Sequence, residues 1–132
     1  MLYVKTILKI SSVHGIGLFA NQFIPKGTMT WRYHSVFDMG FTRKQVDEMS
    51  VPARRLFLWY AYFDFAQNKY ILCFDDQRFI NHSSKNFNII STTDHDIAAR
   101  DIQIGEELLC DYNLFDPDYW KRHKIDPKTL NE

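Results

Sequence analysis

A mainly β fold, built as one domain of short strands with a small helical insert, is what this sequence predicts, and three observations predict it. Apolar and polar residues alternate over residues 2–10, the period of a half-buried strand. Short apolar runs bounded by Gly, Pro, Asn and Asp then recur as far as residue 112, without the regular exchange of strand and long helix that βαβ units show. The helix-start signals, a capping box and a Ser shortly before Pro, fall within a short insert at residues 42–63. The 132 residues suit a single domain from end to end, and no repeat or linker-like stretch divides them.

Taken in order, residues 2–10 set Leu2, Val4, Leu8 and Ile10 against Lys5 and Lys9 and form a first strand. Residues 14–20 hold two glycines and then Leu18-Phe19-Ala20, a turn feeding a second strand. Pro25-Lys26-Gly27 is a further turn, and residues 29–36 read as extended. Thr42 with Gln45 three residues on is a capping box that opens a short helix. Ser50 followed by Pro52 starts a second helix, through Arg54 and Arg55 to about Phe63, and its aromatic run covers more than one face, so much of it is expected to be buried. Residues 70–74 make a strand after the Asn68-Lys69 turn, residues 87–92 and 96–99 a hairpin around 93–95, and residues 108–112 a last strand after the turn at 104–107. The tail, residues 116–132, is polar apart from Tyr119-Trp120.

Composition bounds the function. Sixteen Lys and Arg balance 16 Asp and Glu, so no global charge favours nucleic acid or an anionic membrane. A 45% hydrophobic and 24% charged content is globular and excludes a disordered chain. Lys5 and Lys9 break any signal-peptide core, and the longest strongly apolar run, residues 56–63, is far short of a bilayer span. Cys73 and Cys110 are the only cysteines and form no CxxC pair. A soluble, intracellular protein with reduced thiols is the expectation, with neither membrane nor direct nucleic-acid binding. Aromatics reach 16%, whereas glycine is held to five residues, two of them in Gly15-Ile16-Gly17.

Three segments have the residue types that chemistry needs. The first is Ser12-Val13-His14-Gly15-Ile16-Gly17-Leu18-Phe19-Ala20, where close glycines let backbone approach a ligand, although a tight turn explains a lone G-x-G equally well. It lacks the third glycine and the βαβ setting of a dinucleotide fingerprint, and the Gly-Lys-Ser/Thr of a phosphate loop. The second is Arg78-Phe79-Ile80-Asn81-His82-Ser83, a cluster of donors and acceptors that also fits a satisfied polar turn. The third runs from Ala99 through Gly105-Glu106-Glu107-Leu108 to Cys110-Asp111-Tyr112-Asn113.

In this order and spacing the three together resemble the SET-domain protein lysine methyltransferases, over about residues 5–113. The glycine pair with Leu-Phe-Ala is similar to the family's first motif, Arg78 to Ser83 to its Arg-Phe-x-Asn-His-Ser motif, and Gly105 to Tyr112 to its Gly-Glu-Glu-Leu-x-x-Asp-Tyr motif. The resemblance implies a β-clip fold of short strands with a knot-like C-terminal crossing, and residues 114–132 as a closing tail. It implies S-adenosylmethionine as cofactor, held by the backbone of His14, Gly15, Ile16 and Gly17 and by Asn81 and His82, and it makes Tyr112 the catalytic tyrosine. The reaction implied is methyl transfer to the side-chain amine of a protein lysine, in a histone tail or another protein. Tyr33 lies where the family often has Glu-Tyr-x-Gly, so it is a lysine-channel candidate beside Cys110 and Tyr112, with core packing as its other reading; here Arg32 and Ser35 replace the acid and the glycine. Trp120 or Phe115 is a candidate to cover the adenine or the lysine, as C-terminal aromatics do in the family, with a tail residue pinned onto the domain surface as the other reading.

Departures from the pattern shape the expectation. Cys110 stands two before Tyr112, where the family usually has Phe or Tyr. A smaller side chain there predicts dimethyl or trimethyl product. Ser84-Lys85-Asn86-Phe87-Asn88 lacks the family's proline and shifts its asparagine to Asn88. No cysteine follows Cys110, and Cys73, His82 and His95 do not have metal-ligand spacing, so no zinc is expected and residues 115–123 are expected to close the site by packing. The alternative reading is a catalytically weak SET-like module that binds a protein or the cofactor without efficient turnover. A cysteine hydrolase using Cys73 or Cys110 lacks any supporting motif, and the basic clusters Arg54-Arg55 and Lys121-Arg122-His123-Lys124 read as solvated faces. Exposed aromatics on so small a domain leave a homodimer open.

Overall fold

The computed structural model describes residues 1–125; the end of the expected closing tail, residues 126–132, lies outside the described residues. The chain begins with an antiparallel hairpin of β1 (Thr6–Ile10) and β2 (Ile16–Ala20), in register Thr6 to Ala20 and Ile10 to Ile16. The strand expected from residue 2 starts only at Thr6, because Leu2 leaves to bridge Trp31 and Val4 drops into the core.

Five short strands make the sheet that carries the site, in the order β3 (Met29–Arg32), β9 (His95–Ala98), β8 (Ile89–Ser91), β10 (Leu109–Cys110), β7 (Asn81–His82). A second sheet of three strands, β4 (Met39–Phe41), β6 (Lys69–Leu72) and β5 (Tyr62–Asp64), carries the helical insert. That insert is α1 (Arg43–Asp47), with the Thr42–Gln45 capping box formed, and α2 (Val51–Tyr60), capped by Ser50. A last helix, α3 (Tyr119–His123), follows the threaded strand β10.

The main core gathers Leu18, Ile24, Ile89, Ile102, Leu108 and Cys110 beneath the first sheet and the hairpin. Each fully buried Leu or Ile contributes about 1.5–3 kcal/mol of transfer free energy. A satellite core of Val46, Phe57, Ala61, Phe63 and Tyr70 sits under the insert, with Phe57 edge-on to Phe41 and Tyr70.

Three expectations are corrected here. α2 stops at Tyr60 because Ala61 is already extended and leads into β5, and only Phe57 of the helix is fully buried, while Leu56 is exposed. The last strand ends at Cys110, and Tyr112 opens a 3-10 turn, Tyr112–Leu114, capped by the Asp111 side chain. Arg122 is no part of a solvated basic face; it packs inward against the buried Asp116.

Candidate active site

The site forms where the chain crosses itself. β10 lies between β7 and β8 and runs parallel to both, so it threads the loop that joins them, residues 83–88. The Ser83 N–H donates to Cys110 O and the Asn88 N–H to Leu109 O, each at 3.0 Å. The buried Asn88 amide brackets the threaded segment, donating to Glu107 O at 2.8 Å and accepting from the Leu109 N–H at 2.9 Å. The displaced asparagine therefore fastens the crossing.

A cavity of about 770 Å³ opens on one side of the crossing. Its floor is the turn between β1 and β2, and His14, Gly15 and Ile16 line it together with Asn81, His82 and Trp120. Gly15 has φ +48, a left-handed conformation that favours glycine. The Asn81 amide donates to His14 O at 2.9 Å, to Ile16 O at 3.2 Å and to Glu107 Oε1 at 2.9 Å, so it shapes the floor by holding the turn. His82 Nδ1 accepts from the Tyr112 N–H at 3.1 Å, which places the proton of the neutral ring on Nε2. Trp120 is buried, lies edge-on to His82 at 4.8 Å and stacks on Tyr112 at 5.7 Å and 16°. Gly17 is not brought to this cavity: it is buried in β2, where the space for a Cβ is taken by the Glu107 carboxylate.

A second cavity, of about 540 Å³, opens on the other side. Its walls include Trp31, Tyr60, Tyr62, Cys110, Tyr112 and Phe115. Tyr112, Tyr60, Trp59, Ile80, Arg78 and Tyr119 line both cavities. The Tyr112 hydroxyl donates to Ile80 O at 2.5 Å, and burial pushes its pKa well up, so it stays protonated. Cys110 is fully buried, and burial likewise pushes its thiol up. The two tail aromatics divide, Trp120 lining the first cavity and Phe115 the second.

Tyr33 is not brought to the channel. Beyond the end of β3 its N–H donates to Asp94 O at 2.7 Å and its hydroxyl to Gln67 Oε1, and it does not line the second cavity. Trp31, two residues earlier, occupies the wall instead. Sequence reasoning also missed Tyr60 and Tyr62, whose aromatic run reads only as core, and Asp96, whose one signal is a charge at an inward position of an alternating strand.

Among the described residues, no three His, Cys, Asp or Glu side chains gather to hold a metal, and no helix is long and apolar enough to cross a membrane.

A small β domain threaded by its own C-terminal strand, with two cavities meeting at a tyrosine beside the crossing, defines a narrow class. The model of the SET domain matches residues 15–113, most of the chain, and the chain belongs to the SET-domain family. Nothing among curated protein sequences matches it. Among solved structures it is similar to an apo Polycomb Repressive Complex 2 of Chaetomium thermophilum, with TM-score 0.66 and 22% identity over 91% of this chain and 16% of that one. A form of that complex bound to S-adenosylmethionine aligns with TM-score 0.63 and 22% identity over 92% of this chain and 16% of its own. The SET8 protein of Cryptosporidium aligns with TM-score 0.60 and 26% identity over 84% of this chain and 58% of its own. The chain thus spans only a small part of the Polycomb chains it matches.

Proposed function

We propose that this chain is an S-adenosylmethionine-dependent protein-lysine N-methyltransferase. One observation carries the reading: two cavities of different character meet at Tyr112, one floored by the glycine turn and one walled by aromatic rings. The first suits the cofactor. Gly15 leaves its floor open, and Trp120 offers an aromatic wall against which a base can pack. The backbone of His14, Gly15 and Ile16 and the rings of His82 and Trp120 would hold it, and Asn81 would keep the turn in shape. Bound there, the cofactor supplies an electrophilic methyl group. The neighbouring form of the Polycomb complex that holds S-adenosylmethionine supports this assignment.

The second cavity suits a lysine side chain. A free lysine has a pKa near 10.4, so only about 1 in 2,500 is neutral at pH 7. The apolar walls of Trp31, Tyr62 and Phe115 disfavour the charged form and exclude water. Tyr112 is no base here, because its raised pKa keeps the proton on. Its hydroxyl, anchored by Ile80 O, fixes the ring that separates the cavities and presents an acceptor to the incoming amine. Alignment of the reacting atoms is then the main source of rate.

Removing the hydroxyl tests the assignment. Tyr112→Phe is expected to keep the fold and bind S-adenosylmethionine while kcat falls by on the order of 10²-fold. Label transfer from radioactive cofactor to histones and to a lysate is the measurement, and a mutant of near-normal turnover would refute the role. Cofactor-dependent thermal stabilisation of the wild type without any transfer would instead favour the catalytically weak module.

We further assign a histone tail or another lysine-bearing protein as substrate. A solved form of the Polycomb complex in complex with a trimethyl-lysine form of histone H3 supports that class. The small Cys110 beside Tyr112 leaves space for methyl groups on the amine. A time course on a peptide substrate should therefore run past monomethyl-lysine to the dimethyl or trimethyl product, and a stall at the first step would count against Cys110 as the reason.

A further inference from the structure

The second cavity is apolar on its walls, yet it also collects polar groups that the tyrosine does not use. Asp96 lies in β9, opposite Trp31 on β3 and Ser91 on β8. It is 2% exposed and lines the cavity. Its Oδ2 accepts from the Gln77 amide at 2.5 Å, and no Lys, Arg or His side chain of the described residues pairs with it. Trp31 Nε1, in the same cavity, is buried without a hydrogen-bond partner, and Ser91 faces Asp96 from the neighbouring strand.

A carboxylate buried beside neutral donors alone is unfavourable unless a cation completes it. Here, among the rings of Trp31, Tyr60, Tyr62 and Tyr112, which disfavour a free charge, Asp96 is the carboxylate placed to compensate a cation. The cavity is thus built for a group that enters along an apolar channel and ends in a positive charge, an alkylammonium.

We propose that Asp96 is the receptor for the substrate ammonium and takes a proton from it, so that the amine reaches Tyr112 neutral. This rests on the lysine-methyltransferase reading above. In the step, one N–H bond of the ammonium breaks and one O–H bond forms on the Asp96 carboxylate. The nitrogen keeps the electron pair, and the summed charge of the pair stays zero.

Three titratable groups face Asp96 from other elements. Tyr62 on β5, Cys73 after β6 and Cys110 on β10 are all pushed up by burial and stay neutral around pH 7. The carboxylates of Asp38, Asp64 and Asp75 act on Tyr62 or Cys73, and the α-amino group of Met1 acts on Cys73 and on Asp96 itself. Burial pushes the Asp96 carboxyl up to about 7, against the opposing pull of hydrogen bonds from Ser91 and Gln77 and of the Met1 α-amino charge. A raised acid is protonated below that value and becomes a proton acceptor above it.

The test uses the full chain without cofactor, with n-butylammonium and its neutral analogue n-butanol as probes, read by tryptophan fluorescence and calorimetry. At pH 8 the wild type should prefer the ammonium by about tenfold, the scale of one charge-assisted contact. Asp96→Asn should bind both probes alike, and so should the wild type at pH 5, where butylammonium is still charged but Asp96 is not. A wild type without the preference, or a preference that survives in Asp96→Asn or at pH 5, overturns the proposal. The pH 5 arm needs no variant, so a poorly folding mutant does not blunt it. In turnover assays the wild-type kcat should climb through pH 7 and that climb should vanish in Asp96→Asn. Probe discrimination without methyl transfer would sink the enzyme reading alone; methyl transfer without discrimination would sink the role of Asp96 alone.

Discussion

Glu107 shows how one side chain turns a sequence motif into geometry. Its Oε1 accepts from the Asn81 amide at 2.9 Å and its Oε2 from the Ser11 hydroxyl at 2.9 Å. To make both contacts the carboxylate lies across Gly17, where a Cβ would stand 2.1 Å from Oε1 and 2.8 Å from Cδ. The two glycines therefore serve different ends. Gly15 supplies a left-handed turn with open space around it, and Gly17 supplies room for Glu107. Gly17→Ala should displace the carboxylate and release Asn81, destabilising the protein by about 1–3 kcal/mol, the range for overpacking. Urea unfolding measures this, alongside weakened S-adenosylmethionine binding as the turn at residues 11–15 loosens. A variant as stable and as tight-binding as the wild type would show that Glu107 has another place to go.

At the level of elements, what was legible in the sequence is what local contacts decide. The Thr42 hydroxyl accepts from the Gln45 N–H at 3.2 Å and Gln45 Oε1 accepts from the Thr42 N–H at 2.8 Å, a reciprocal pair within four residues. The hairpin of β1 and β2 is equally local, closed by the Ser11 N–H on Gly15 O. The missed strands depend on distant partners. β4 finds β6 about thirty residues on, and β5 owes its extended form to pairing with β6, so nothing within residues 56–63 announces that α2 ends at Tyr60. The same division runs through the site. Asn81, His82 and Tyr112 sit in contiguous motifs and could be read. Trp31 and Asp96 meet through the pairing of β3 with β9 while Tyr62 comes from the other sheet, so only the assembled fold puts them around one cavity. Tyr33 was misplaced because a partial motif cannot show which residue of an aromatic pair faces inward, and β3 turns Trp31 in.

Across the whole molecule, the tail after the crossing ties the two sheets to the site. Asp116 is fully buried; it accepts from both ends of the Arg122 guanidinium, at 2.8 Å on the Nη1 side, and from the Phe63 N–H of β5 at 2.9 Å. The Tyr119 hydroxyl donates to Trp59 O at 2.8 Å, and His123 Nε2 donates to Leu58 O at 2.9 Å, which pins α3 to the end of α2. Trp120 is thereby held over Tyr112 and His82. Removing one partner of such a buried pair strands the other, and costs about 3–5 kcal/mol. Asp116→Ala should therefore lose that much in guanidinium unfolding. Freed from its anchor, α3 should also expose Trp120, with a red-shifted tryptophan emission and lost S-adenosylmethionine binding. Replacing both partners with apolar residues of similar size, Asp116→Leu with Arg122→Met, should recover much of the stability, because two desolvated charges are removed together. Cofactor binding should recover less, since the Phe63 N–H that Asp116 holds loses its acceptor and β5 carries Tyr62 into the channel wall. Equal recovery of stability and binding would mean that the pair only stabilises the fold and does not set the geometry of the site.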